Sequence, residues 1–285
     1  MDDVLIRKIK KDIQKSGFAS ELNVRKILYD HGWSLSGGSA YFDKDENKSR
    51  EIDIISHRSS FIKHKRNYLV RNFWYLFVEV KKTEKPWIVF KKSVEEPFDS
   101  CAWNNLINSI NLPCKPRFLS KSLRKHSLLK ANGWEGTGIH EAFKNPSQPS
   151  QWYKAFLSAC KAAEAYKEQY GSDGNKVSDD IIEDSSEISF HQPIVVLDGV
   201  LASAELDENN QISIEEVKSA AFKFQYKTLN YKQRSYRVDL VTVDGLIDYI
   251  ELIKKRQSNF TKELLNQINK EFDLSLNSNA MLFSD

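Results

Sequence analysis

Arg50-Glu51-Ile52-Asp53-Ile54-Ile55 and Leu76-Phe77-Val78-Glu79-Val80-Lys81-Lys82 are the two stretches on which the reading of this chain turns. Each sets charged side chains in an apolar run rich in β-branched and aromatic residues, the composition of a buried strand. Burying an unpaired carboxylate or ammonium is costly, so these charges need a partner or a metal. Alternation along the second strand puts Glu79 and Lys81 on one face with Tyr75 and Phe77. Leu76, Val78 and Val80 face the other way.

Working outward, residues 3–15 form a charged helix with Leu5, Ile6, Ile9 and Ile13 on one side. A second helix over 18–31 ends at Gly32. Strands are expected near 33–42, 50–57 and 73–82. Residues 83–150 hold six of the seven prolines and little periodicity, and read as a large insertion with short helices. Trp152, Phe156, Ala159, Ala163, Tyr166 and Tyr170 then recur at helical spacing, a stripe for packing on a sheet. Further strands are expected near 192–198, 200–206, 220–228 and 236–243. Asp244 reads as the N-cap of a helix over 245–256, followed by an amphipathic helix over 260–271. The fold class is α/β, a central mixed β-sheet flanked by helices. One elaborated domain spans 1–285, with its core at about 16–82 and 150–256.

An aspartate on one strand followed by Glu-x-Lys at the end of another resembles the active-site signature of the PD-(D/E)xK nuclease superfamily, in Asp53 and Glu79-Val80-Lys81. Residues 16–28, followed by Gly32-Trp33, resemble that family's first core helix, which often carries an accessory glutamate, here Glu21. The match covers roughly 16–82, and Ile52 stands where the family has proline. The resemblance implies a restriction-endonuclease-like core and a Mg²⁺- or Mn²⁺-dependent endonuclease acting on nucleic acid, with DNA the expected substrate and prokaryotic defence the expected setting. Asp53, Glu79 and the Val80 carbonyl would hold the metal, which prefers oxygen ligands. Lys81 would orient or help deprotonate the attacking water and stabilise the transition state. The alternative is a catalytically inactive member acting as a nucleic-acid-binding or assembly module.

Each residue also has a plainer reading. Glu21 pairs at i,i+4 with Arg25, usually a solvated feature, yet it continues the apolar stripe of Val24 and Leu28. Glu51 shares a strand face with Asp53 and reads as a salt bridge near the strand's start. Asp53 could serve as a partner for Arg50 or Arg58. Asp198 belongs to an Asp-Gly turn and Asp239 has Arg237 nearby, so both stay outside the site.

The formal charge is only +3, but it is segregated. Residues 115–130 carry six Lys or Arg and no acid, while 171–189 carry six acids and one Lys. Charge segregated beside such a site points to phosphate contact, with Lys63, Lys65, Arg66, Arg124 and Lys125 as the expected nucleic-acid-binding residues. Three cysteines without Cys-x-x-Cys spacing support neither a disulfide framework nor a zinc site. With no apolar leader or spanning segment, a cytoplasmic protein without membrane contact is expected. A homo-oligomer or protein partner is left open.

Overall fold

In the computed structural model, residues 2–36, 40–63, 69–91, 107–110, 134–145, 147–172, 185–231 and 234–282 are described. Their centre is a mixed sheet of eleven strands. Its path runs β1 (Ser34–Leu35), β4 (Ile54–Lys63), β5 (Leu69–Lys82), β9 (Ser185–Asp198), β13 (Arg234–Thr242), β12 (Ser219–Tyr226), β8 (Glu135–Glu141), β6 (Trp87–Lys91), β10 (Leu201–Leu206) and β11 (Ile212–Glu216); β7 (Ile107–Ile110) pairs with β9 off this path. β5 and β9 lie parallel over their full length, from Leu69↔Ser185 to Lys82↔Asp198. A separate hairpin joins β2 (Ala40–Asp43) to β3 (Lys48–Glu51).

The alternation in β5 divides the core into two layers. Trp74, Leu76, Val78 and Val80 pack with Val24 and Leu28 of helix α2 (Phe18–Asp30) and with Ile250, Ile253 and Leu264 of helix α4 (Leu246–Leu282). On the opposite face Phe77 packs with Ala155, Phe156, Ala159 and Ala163 of helix α3 (Gln151–Ser172), beside Val195, Phe222 and Leu240. Each fully buried aliphatic or aromatic side chain contributes roughly 1.5–3 kcal/mol by area, so both helical layers hold the sheet. Helix α1 (Asp3–Lys15) leads into α2 and is tied to the end of β5, where the Lys82 ammonium donates to the Gln14 carbonyl at 2.6 Å.

Several expectations are corrected. The stretch 50–57 is not one strand: β3 ends at Glu51, β4 starts at Ile54, and Ile52-Asp53 breaks the chain between two sheets. Likewise 33–42 divides between β1 and β2. Residues 83–150, read as an insertion, supply β6, β7 and β8 to the main sheet itself; Trp87 and Val89 are buried in its core. The two C-terminal helices are one, Leu246–Leu282. No Gly or Pro interrupts 256–260, and Gln257 on the inner face is satisfied by the Arg58 side chain at 3.1 Å and the Asn72 carbonyl at 3.4 Å. Thr242, not Asp244, caps that region, its hydroxyl oxygen accepting from the Gly245 N–H.

Candidate active site

The site forms where β4 runs out while β5 continues. The last paired residues are Ile54↔Val78, so Asp53, one step beyond, falls opposite Glu79. Because the backbone breaks at Asp53, its side chain takes the place of a strand partner: Asp53 Oδ2 accepts the Val80 N–H at 2.7 Å. A strand residue projects its N–H and C=O to the same side, so the Val80 carbonyl also faces the space that β4 has vacated. Ile52 and Ile54 pin the break from both layers. From α2 the Arg25 guanidinium donates to the Asp53 carbonyl.

Lys81 joins the acids. Its ammonium lies 2.6 Å from Glu79 Oε2 and 3.7 Å from Asp53 Oδ2. One cation thus touches both carboxylates. Glu79 is 6 % exposed, and its other oxygen accepts the Ser158 hydroxyl of α3 at 2.7 Å. Burial, opposed by Lys81 and reinforced by the Asp53 charge, raises the Glu79 pKa above the usual carboxylate value. Burial alone would lower the Lys81 pKa, but Glu79, then Asp53 and Glu21, outweigh it and hold the amine protonated.

Two concavities meet at Lys81. A cleft of about 460 Å³ between the β2–β3 hairpin and α3 is lined by Tyr41, Arg50, Glu79, Lys81, Lys154 and Ser158 among others. A groove of about 430 Å³ beside the start of α2 is lined by Gly17, Glu21, Asp53, Val80, Lys81 and Lys82, with Thr83 and Glu84 at its rim. Glu21 therefore does reach the site. Its pKa is raised by partial burial and then by Asp53, with Arg25 pulling the other way, and Arg25 spends its hydrogen bond on the Asp53 backbone.

The plainer readings fare differently. Arg50 pairs with Glu46 and Arg58 with Gln257, so neither neutralises Asp53. Glu51 ends the hairpin strand β3, whereas Asp53 lies in the break beyond it, and Glu51 lines the cleft. Asp198 accepts a hydrogen bond from Ser20 of α2, and Asp239 pairs with the buried Arg237 at 2.9 Å, so both have structural partners. Ser158 was missed. It lies far along the chain, and only the packing of α3 on β5 brings it to Glu79. Of the expected nucleic-acid contacts, Lys65, Arg66, Arg124 and Lys125 lie outside the described residues, and of Lys63 only the backbone is described.

Asp53, Glu79, Glu21 and the Val80 carbonyl are all oxygen donors, a set suited to a hard cation and unsuited to a soft one. No group of three His, Cys, Asp or Glu side chains poised around a metal exists among the described residues. A Mg²⁺-sized ion asks for less, since one or two carboxylates with water suffice. Asp53 Oδ1 makes no hydrogen bond among the described residues, and Asp53 lines the groove with Glu21 and Val80. In comparisons with family models, curated proteins and solved structures, the chain matches none. No helix among the described residues is long and apolar enough to cross a membrane.

Proposed function

We propose that this chain is a metal-dependent nuclease of the PD-(D/E)xK type, with a restriction-endonuclease-like core, that hydrolyses phosphodiester bonds in nucleic acid. One observation carries the reading: Lys81 contacts Asp53 and Glu79 together at the open end of β5, with the Val80 backbone turned into the same space. Lys161, with Asp43 and Asp45, shows that two acids on one lysine can also serve structure, so it is the position at the end of β5 that distinguishes this cluster. Here an acid at the break before β4 and one on β5, with a third at Glu21, converge on one lysine at the wall of two clefts.

In this reading Asp53, Glu79 and the Val80 carbonyl hold Mg²⁺ or Mn²⁺. Such an ion lowers the pKa of a bound water and polarises a phosphoryl oxygen. Glu21 adds charge from α2 on the groove side. Lys81, held protonated by its acids, orients the attacking water and stabilises charge building on the phosphate. It is a poorer proton acceptor than expected from the motif. DNA is the proposed substrate and defence against foreign DNA the proposed setting, in the cytoplasm, both on the resemblance of the motif.

The inactive-module reading draws on a separate observation. Glu79 is already satisfied by Lys81 and Ser158 without any ion. One experiment separates the two: cleavage of single- and double-stranded DNA and RNA with Mg²⁺ or Mn²⁺, run beside Lys81→Ala and Asp53→Asn. Ion-dependent cleavage lost in both variants supports the nuclease. Nucleic-acid binding with no cleavage of any substrate favours the module.

A further inference from the structure

Ser158 sits in the middle of α3 among Ala155, Ala159, Ala162 and Ala163. Alanine is the best helix former, and serine at such a position usually turns its hydroxyl back on its own helix. Ser158 does neither. It donates its single hydroxyl proton to Glu79 Oε1 at 2.7 Å, across the interface between α3 and β5. With that proton committed, the contact of 3.5 Å with Tyr41 must run the other way, the phenol donating and Ser158 accepting. Burial keeps the Tyr41 phenol protonated and able to donate. Glu79 Oε2 meanwhile meets Lys81 at 2.6 Å. The two oxygens of Glu79 thus have separate tethers, one from α3 and one from its own strand.

We propose that Ser158 is a positioning residue that fixes the rotation of the Glu79 carboxylate, holding Oε1 toward α3 so that Oε2 is presented toward Lys81 and Asp53. The inference rests on the reading of Asp53 and Glu79 as ion-holding groups. Without the Ser158 tether the carboxylate turns about its terminal bond, a soft torsion with broad wells. The ion then meets a ligand that must be ordered at the moment of binding. Partners that orient a metal ligand typically change affinity by about 10–100-fold when removed. Tyr41 acts only through Ser158 and at the limit of hydrogen-bond length, so its part is smaller.

The test is Mn²⁺ binding by the full-length protein without nucleic acid, measured by calorimetry or by the electron-spin signal of the free ion. Ser158→Ala and Ser158→Thr are compared with wild type, alongside thermal melts without ion. The expected result is a loss of about 10–100-fold in Mn²⁺ affinity for Ser158→Ala and recovery in Ser158→Thr, which restores the hydroxyl. Nucleic-acid affinity measured without ion stays at the wild-type value in both. If Ser158→Ala folds poorly, Ser158→Cys, a similar volume with a weak donor, takes its place with the same expectation. Wild-type Mn²⁺ affinity in Ser158→Ala, or in Ser158→Cys where it takes its place, with only the melting temperature lowered, overturns the proposal and leaves Ser158 as a partner that merely satisfies a buried acid. Absence of Mn²⁺ binding in wild type overturns the proposal together with the ion site itself.

Discussion

Replacing Lys81 by methionine keeps the aliphatic stem and deletes only the charge, so it asks what the ammonium does for the acids around it. Lys81 is a quarter exposed at its side chain and Glu79 is nearly buried (28 % and 8 %). The pair therefore falls between a surface bridge, worth under about 1 kcal/mol, and a buried pair whose breakage costs about 3–5 kcal/mol. A ceiling comes from protonation, because an abandoned Glu79 can take up a proton. At about pH 8 that costs about 1.4 kcal/mol for each unit above an unfolded pKa of about 4.3, or about 5 kcal/mol in all. The Ser158 hydrogen bond remains, so a loss of about 2–3 kcal/mol is expected at that pH. The sign follows from linkage. Glu79 is raised in the folded state, so its contribution is complete below its unfolded pKa and drains away as pH rises through the folded value. In Lys81→Met the folded value rises further, and the penalty should shrink toward zero by about pH 5. Denaturant unfolding of both proteins at the two pH values, with and without Mg²⁺, measures this. Added ion should recover more stability in the variant than in wild type, since it supplies the missing positive charge. An equal loss at both pH values, untouched by ion, would refute the picture of two acids sharing one cation.

Four other outcomes are expected. Asp53→Asn keeps an oxygen for the Val80 N–H, whereas Asp53→Ala orphans that buried donor; both should lose ion binding, but only the alanine variant should also lose about 1–3 kcal/mol of stability in denaturant titrations. Glu79 and Glu21 both titrate above the usual carboxylate value, so Mn²⁺ affinity should climb as pH rises through that range, with proton release on binding visible by calorimetry in two buffers. Lys154 lines the cleft with Glu79 and Lys81 and has no partner among the described residues, so Lys154→Gln should lower the slope of log affinity against log salt by about one for a duplex while leaving the cleavage rate at saturating substrate unchanged. Ser258→Pro, on the exposed side of α4 at the point where two helices were expected to part, should cost about 3 kcal/mol, an amount a helix boundary would not register.

The acids and lysine were legible because their signal is local. Glu79 and Lys81 stand two apart on a strand whose neighbours alternate cleanly, and the faces assigned to Phe77 against Leu76, Val78 and Val80 are those the two cores use. The same locality explains the errors. Strand and non-strand differ little in composition across Arg50–Ile55, so the break at Ile52-Asp53 left no mark in periodicity. Trp87-Ile88-Val89-Phe90 is a short apolar run that periodicity cannot tell from buried helix, and the surrounding prolines hid a strand of the main sheet. The 245–271 region looked like two helices because Gln257, Ser258 and Asn259 interrupt the apolar stripe; a polar residue on the inner face is tolerated when the Arg58 and Asn72 carbonyls and the Arg58 guanidinium receive it, which only the tertiary structure supplies.

On the proposed nuclease reading, the break at Ile52-Asp53 also bears on Ile52, which stands where the resembled motif has proline. A proline before the acid would end the ladder by removing an N–H donor and restricting the backbone. Here Ile52 is buried at 2 % exposure in the α3 layer, while Ile54 is fully buried in the α2 and α4 layer. Two flanking isoleucines committed to opposite layers, together with Arg25 capping the Asp53 carbonyl, leave Asp53 in the plane of the sheet facing the β5 edge. Packing from both sides and one guanidinium then do what proline's ring would do. On the proposed reading the motif position is a geometric requirement, a chain that joins the ladder only one residue after the acid, met here by packing and the Arg25 contact. Only Asp53 must be there in person, because only its carboxylate reaches both the Val80 N–H and Lys81.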